Sequence, residues 1–419
     1  MTGTAIAQII GFLLMPVVSR LYTSSDFGVY GSFISLSGIT ASIATFQYSQ
    51  AIMLPKKKKD AFNLFFMSCL SAVLVTFLVV IIIVLFPTSL QKLIKIPSAW
   101  LLILLPIATL ISGLNQSLQA WSVRAKAFKH TASSQIIRTI SSSGVWLLAG
   151  LKNAGFAGLI AGSVMGGILA SINLIKVLYR DFKTFWISVS WANFRNLALE
   201  FRNFPFFAAP QNLLNAVSQG LPVLLLGHFY GIEIAGFYAF GMRLLMTPTG
   251  FVLKAMRQVL FQKASEIYNR GINLSGYFLK TTGVLVALAI IPGLILFIWS
   301  PQIFSFVFGQ EWWEAGIYSR WLILWVFMMF CNVPSILFAK ILRQQKNLFL
   351  FECLVLSTRM AVLVVGGAYW TALNTVIVFS ILGLILNLFL ILWVGILLFK
   401  QKKALLVQQI SVNKVNYFD

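Results

Sequence analysis

Apolar runs and short polar stretches alternate along the whole chain, and the runs are long. Crossing about 30 Å of hydrocarbon as a helix takes roughly 20 apolar residues. The clearest run, from Ala61 to Gln91, contains no charged residue. The pattern predicts twelve helices, at approximately 4–21, 28–48, 61–86, 99–121, 134–151, 155–177, 206–227, 234–253, 277–299, 316–338, 349–369 and 373–399. A membrane β-barrel would instead show alternation in segments of about ten residues. The expected fold is all-α, a polytopic membrane protein with about 12 transmembrane helices.

The polar breaks are informative in their own right. "RLYTSSDFGVYGSF", residues 20–33, is a polar elbow between the first two runs. Arg20 and Tyr22 are expected to close the first helix at the membrane interface. Ser24 or Ser25 can cap the second, and Asp26 places negative charge at the positive end of its dipole. Gly28 and Gly31 allow close packing on a neighbour, with Tyr30 between them. The device recurs in "GHFYGIEIAGFYAFGMR", where Glu233 precedes Gly236 and Tyr238 as Asp26 precedes Gly28 and Tyr30. Tyr30 and Tyr238 stand 208 positions apart, about half the chain. A six-helix unit repeated once predicts two halves around a central cavity, related by an axis along the membrane normal. The expected organisation is an N-terminal half at 1–179, an amphipathic linker at 180–205, a C-terminal half at 206–399 and a basic tail at 400–419. The linker, with five phenylalanines and two tryptophans among its basic residues, reads as an interfacial segment.

Charge sets the orientation. The net charge is +22 with only 10% charged residues, and 59% of the chain is hydrophobic, a composition foreign to water-soluble domains. Most of the 32 Lys and Arg residues fall in loops on one side, whereas the other side holds only Arg20, Lys92, Lys95, Lys152 and Arg320. The positive-inside rule then places the basic loops and both termini in the cytoplasm, against anionic lipid headgroups, and the basic balance implies no nucleic-acid partner. No cleavable signal is expected, because the first residues carry no basic region. Three basic residues, Arg138, Arg243 and Arg359, fall inside predicted spans. An arginine at the bilayer centre costs about 2.5–3.5 kcal/mol on insertion scales, so each is a candidate for lining a wet cavity. Arg138 lies close enough to a helix end that snorkelling to the interface is an equal reading.

Other chemistry is sparse. There is no phosphate-loop motif, and His130 and His228 fall on opposite sides of the membrane. Cys69, Cys331 and Cys353 all lie in apolar runs. No metal site, cofactor or catalytic residue is expected, and the protein is not expected to be an enzyme. Glu352 is the one plausible intramembrane carboxylate, near Lys346, while Trp312 and Trp313 read as an interfacial belt.

The elbow "SRLYTSSDFGVYGSF", the stretch "FPFFAAPQNLLNAVSQGLPVLLLGHFYGIEIAGFYAFGMRLLMTP" and the two-half plan together resemble the Wzx-type polysaccharide (O-antigen) flippases of the multidrug/oligosaccharidyl-lipid/polysaccharide exporter superfamily. Relatives commonly carry a proline and an acidic residue where this chain has Ser24 and Ser25. The resemblance implies a bacterial inner-membrane flippase that moves an undecaprenyl-diphosphate-linked oligosaccharide (an O-antigen, capsule or exopolysaccharide unit) to the periplasmic leaflet by alternating access. It also implies a place among other polysaccharide-assembly proteins. Arginine suits such cargo because its planar fork pairs with diphosphate oxygens. The alternatives are a cation-coupled multidrug exporter of the same superfamily and a membrane polymerase or ligase of lipid-linked sugars.

Overall fold

The computed structural model describes residues 2–94, 100–185, 191–270 and 272–415. Lys95, residues 186–190 of the linker and residues 416–419 of the tail lie outside them. Every described element is helical, and each of the twelve expected spans coincides with a helix, intact or broken. The first run is α1 (Thr2–Leu13) and α2 (Met15–Ser19), parted at Leu14 because Pro16 has no N–H to continue the ladder. α3 (Ser24–Ile43) ends in a break where Phe46 and Gln47 both take positive φ, followed by the single turn α4 (Tyr48–Ala51). Then come α5 (Lys58–Leu85), α6 (Pro87–Ile94), α7 (Trp100–Arg124), α8 (Phe128–Leu151), α9 (Gly155–Phe185) and α10 (Trp191–Glu200). A π-helical turn, Phe204–Ala208, leads into α11 (Ala209–Tyr230). The remainder is α12 (Ile232–Asn269), α13 (Ser275–Phe308), α14 (Trp313–Cys331), α15 (Val333–Ile341), α16 (Gln345–Tyr369) and α17 (Ala372–Val415). The backbone of α17 thus carries the last span well into the segment expected to be a separate tail. Pro222, Pro248 and Pro292 sit inside continuous helices.

Among the described residues, seven helical stretches are long and apolar enough to cross a membrane. α3, α8, α11 and α12 fall outside that set because serine, threonine, glycine and arginine dilute their apolar character. The protein is a multi-pass membrane protein.

By packing, the chain divides into two compact units: residues 1–240 with 306–312, and residues 241–305 with 313–419. In the first unit, α8 lies against α9 along Gly158, Gly162 and Gly166, where any side chain would strike Tyr22, Trp146 or Ser142. Such a four-residue repeat of small residues lets two membrane helices approach closely. At the basic-loop end, Phe62, Trp121 and Leu174 form a core. Leu197 of the linker helix α10, and Phe201 just after it, join that core. Arg124 donates to the carbonyls of Ile52 (2.8 Å) and Pro55 (2.6 Å), fixing the turn into α5.

The elbow is built differently from the expectation in one respect. The cap is Thr23: its Oγ1 accepts from Asp26 N (3.2 Å), while Asp26 Oδ2 accepts from Thr23 N (3.0 Å). This is a capping box, and it satisfies two helix-end donors at once. Ser24 instead donates to Glu233 of the second elbow (3.2 Å). Asp26 Oδ1 also accepts from Phe156 N (2.8 Å), and Gly155 adopts φ +55° to present that amide. One carboxylate therefore ties the starts of α3 and α9. Tyr22 is buried and donates to the Trp146 carbonyl (2.6 Å). Burial, reinforced by the Asp26 charge, pushes its phenol up to about 12, which keeps the proton on the donor. Tyr30 bonds Ser163 (2.9 Å), Tyr238 is buried, and Arg20 is exposed.

The two elbows cross at their glycines. A Cβ on Gly28 would lie 1.9 Å from the Ile232 carbonyl oxygen, and one on Gly236 would lie 1.8 Å from the Ser24 carbonyl oxygen. With the repeat offset of 208, Ser24 matches Ile232 and Gly28 matches Gly236, so the contact is reciprocal. Gly31 meets Ala239, its own repeat mate; a Cβ at 31 would lie 2.7 Å from the Ala239 methyl. Trp312, expected in an interfacial belt, is 1% exposed: it stacks on Phe240 at 3.9 Å and donates to the Ser19 carbonyl (3.0 Å). Trp313 is the exposed member of the pair.

Candidate functional site

Four helices of the first unit, α3, α7, α8 and α9, enclose a cavity of about 370 Å³. Its lining mixes apolar side chains such as Phe33, Ile34 and Ile111 with a set of polar ones. α7 contributes Asn115, Gln116 and Gln119, α8 contributes Gln135 and Arg138, and serines come from all four helices except α8. Gln135 and Arg138 are three apart and so share a face of α8. Several of these groups are fixed by their own bonds. Gln119 donates to Asn115, Asn115 donates to Ser171 (3.0 Å), and Ser171 donates to the Gly167 carbonyl (3.0 Å). Gln116 donates to the Ala41 carbonyl (2.9 Å), and Ser163 is held by Tyr30.

Arg138 is the charged residue among those lining the cavity. Its side chain is exposed. A guanidinium in a cavity walled by neutral amides attracts anions, and the amides offer donors and acceptors for hydroxyl groups.

The other two intramembrane arginines lie in the second unit. Arg359 on α16 is only 8% exposed. Its guanidinium lies 4.3 Å from the ring centre of Trp325 on α14 and 5.4 Å from that of Phe379 on α17. Gly383 leaves room for the Trp325 ring, since a Cβ there would come within 2.7 Å of it. This aromatic cradle was not legible beforehand, because Trp325 and Phe379 look like any other apolar residues of their spans. Arg243 on α12 is half-buried, and its carbonyl accepts from Thr247 (2.7 Å). Among the described residues Arg270 pairs with Glu266, one helical turn apart, and no cluster of potential metal ligands occurs. The elbow residues Asp26, Gly28, Glu233 and Gly236 are brought together, but as the packing device described above.

Solved structures place the fold. The chain resembles the lipid II flippase MurJ in an inward closed conformation, with a TM-score of 0.72 at 16% identity over 94% of this chain and 86% of that one. It resembles an inward-facing multidrug resistance MATE family transporter of the MOP superfamily, with a TM-score of 0.71 at 12% identity over 95% and 99% of the two chains. A MOP superfamily transporter from Pyrococcus furiosus gives 0.59 at 12% identity over 96% of each chain. At such identities the likeness concerns the fold alone, which is shared with solved MOP-superfamily transporters and a flippase. No curated protein matches in sequence. The model of one family, described as polysaccharide biosynthesis protein, matches residues 17–316, and the chain belongs to that family.

Proposed function

We propose that the protein is a flippase for an undecaprenyl-diphosphate-linked oligosaccharide, moving it from the cytoplasmic to the periplasmic leaflet of a bacterial inner membrane. The observation that carries this reading is the polar cavity inside the first unit, whose charged wall residue is Arg138 and whose other polar groups are amides and hydroxyls. That lining suits an anionic, hydroxyl-rich headgroup better than a cationic drug. In this reading the headgroup passes through the protein while the polyprenyl tail stays in lipid. In it access alternates, Arg138 contacts the headgroup within the first unit, Arg243 binds the diphosphate within the second, and Arg359 adds to the positive field there.

Arg138→Gln and Arg243→Gln should each abolish surface glycan display while the protein still accumulates in the membrane, and the lysine variants should retain part of it, keeping the charge without the fork. Normal display in both glutamine variants would remove the arginines from the mechanism. A fall in protein level that parallels the fall in display would make them structural.

Orientation is tested separately. With both termini cytoplasmic, thiol reagents applied outside intact cells should label engineered cysteines at 22–26, 229–233 and 371–373, and miss 57, 126, 343 and 402. Labelling at 57 or 126 would invert the topology.

A further inference from the structure

We infer that the cavity of the first unit reads the sugar of the cargo and not its diphosphate. The inference rests on the flippase reading above and adds where glycan identity is sensed. A diphosphate carries about two negative charges and is matched by clustered cations or backbone amides. This cavity offers one guanidinium and a set of carboxamides from two helices, Asn115, Gln116 and Gln119 on α7 and Gln135 on α8. A carboxamide presents a donor and an acceptor side by side, the same pair that a sugar hydroxyl presents.

The carboxamides of α7 are also held in place. The relay from Gln119 through Asn115 to Ser171 and on to the Gly167 carbonyl fixes two of them, and the bond to Ala41 fixes the third. Each spends one N–H on the protein and keeps the other, while the carbonyl oxygens of Gln116 and Gln119 are not consumed by that relay. Side chains fixed by their own bonds lose little entropy on binding and discriminate between hydroxyl arrangements, because a cargo lacking a matching group leaves a buried polar atom unpaired. Arg138, one turn from Gln135, then favours a sugar with a carboxylate, or the sugar nearest the phosphate.

The test uses the full chain in proteoliposomes and two synthetic polyprenyl-diphosphate disaccharides that differ in the sugar next to the diphosphate, N-acetylglucosamine in one and galactose in the other. Gln135→Ala is the primary variant, since Gln135 takes no part in the relay. Ser112→Ala, another wall position, is the second in case Gln135→Ala fails to accumulate. The expected result is a roughly three- to tenfold shift in the ratio of the two flipping rates, the size of one lost neutral hydrogen bond. If both rates fall with the ratio unchanged, the cavity holds the shared diphosphate; the sugar-reading inference is then wrong and the flippase reading stands. Unchanged rates for both cargoes would put the cavity off the transport path and overturn the inference. No flipping of either cargo by the parent chain would overturn the flippase reading itself.

Discussion

Alanine at Gly28 or at Gly236 is expected to deplete the protein from the membrane. The added methyl carbon would lie 1.9 Å from the Ile232 carbonyl oxygen in one case and 1.8 Å from the Ser24 carbonyl oxygen in the other, where real contacts stay beyond 3.0 Å. Both obstacles are backbone, so no rotamer change relieves them and the crossing of α3 with the start of α12 must widen. Overpacking of a well-filled interior costs about 1–3 kcal/mol, and a rigid backbone obstacle belongs at or above the top of that range. The two substitutions share one crossing, so the double variant should cost clearly less than the sum of the singles. Gly38→Ala is the control, because nothing lies within 4 Å of a methyl there. Asp26→Ala should fall between, removing the capping box and the bond to Phe156 for about 1–2 kcal/mol. Membrane abundance and thermal midpoint in detergent measure all five variants. Wild-type values for both glycine variants would show that the crossing is not what holds the elbows.

The second large effect is expected at Trp325. Truncating a buried tryptophan costs about 3–5 kcal/mol, and here it also uncovers one face of a guanidinium that the ring holds at 4.3 Å. A desolvated cation–π contact contributes up to about 2 kcal/mol. Trp325→Ala should therefore lose most of its protein, and Trp325→Phe should lose less. Arg359→Lys distinguishes packing from cargo binding at the same place. Lysine keeps the charge but not the planar surface that stacks on the ring, so abundance and transport should fall together. Transport lost at undiminished abundance would return Arg359 to the cargo-binding set that the sequence suggests. An unchanged thermal midpoint in Trp325→Ala would contradict the cradle outright.

Helix number and the elbow were legible because they depend on length, apolarity and local polar signals. Thr23 was also within reach: of three adjacent capping candidates, it alone has Asp26 three residues ahead, the spacing of a capping box. The stripe Gly158, Gly162, Gly166 was equally visible as a four-residue repeat. Trp312 was not, because a tryptophan at a helix end is ordinarily interfacial, and its burial comes from a stack on Phe240, 72 positions away in sequence. For the arginines, depth in the span was readable but surroundings were not. Arg138 and Arg359 look alike in sequence, yet one faces a cavity of amides and the other lies between two aromatic rings.

The reciprocal elbow contact bears on how such a chain could arise. Position 24 of one elbow touches the mate of 28 in the other, and 28 touches the mate of 24, which is the pattern two identical subunits make about a two-fold axis. A half-length ancestor acting as a homodimer would have met itself at these same glycines, and fusion of a duplicated gene would have carried the interface into one polypeptide. The axis runs where Gly31 faces Ala239, and there the space accepts one methyl but not two. In a homodimer both copies of that residue are encoded once, so alanine would appear on both sides together and the helices would be forced apart. In one polypeptide the two positions are encoded separately, and the chain carries a single methyl there, on Ala239 and not on Gly31.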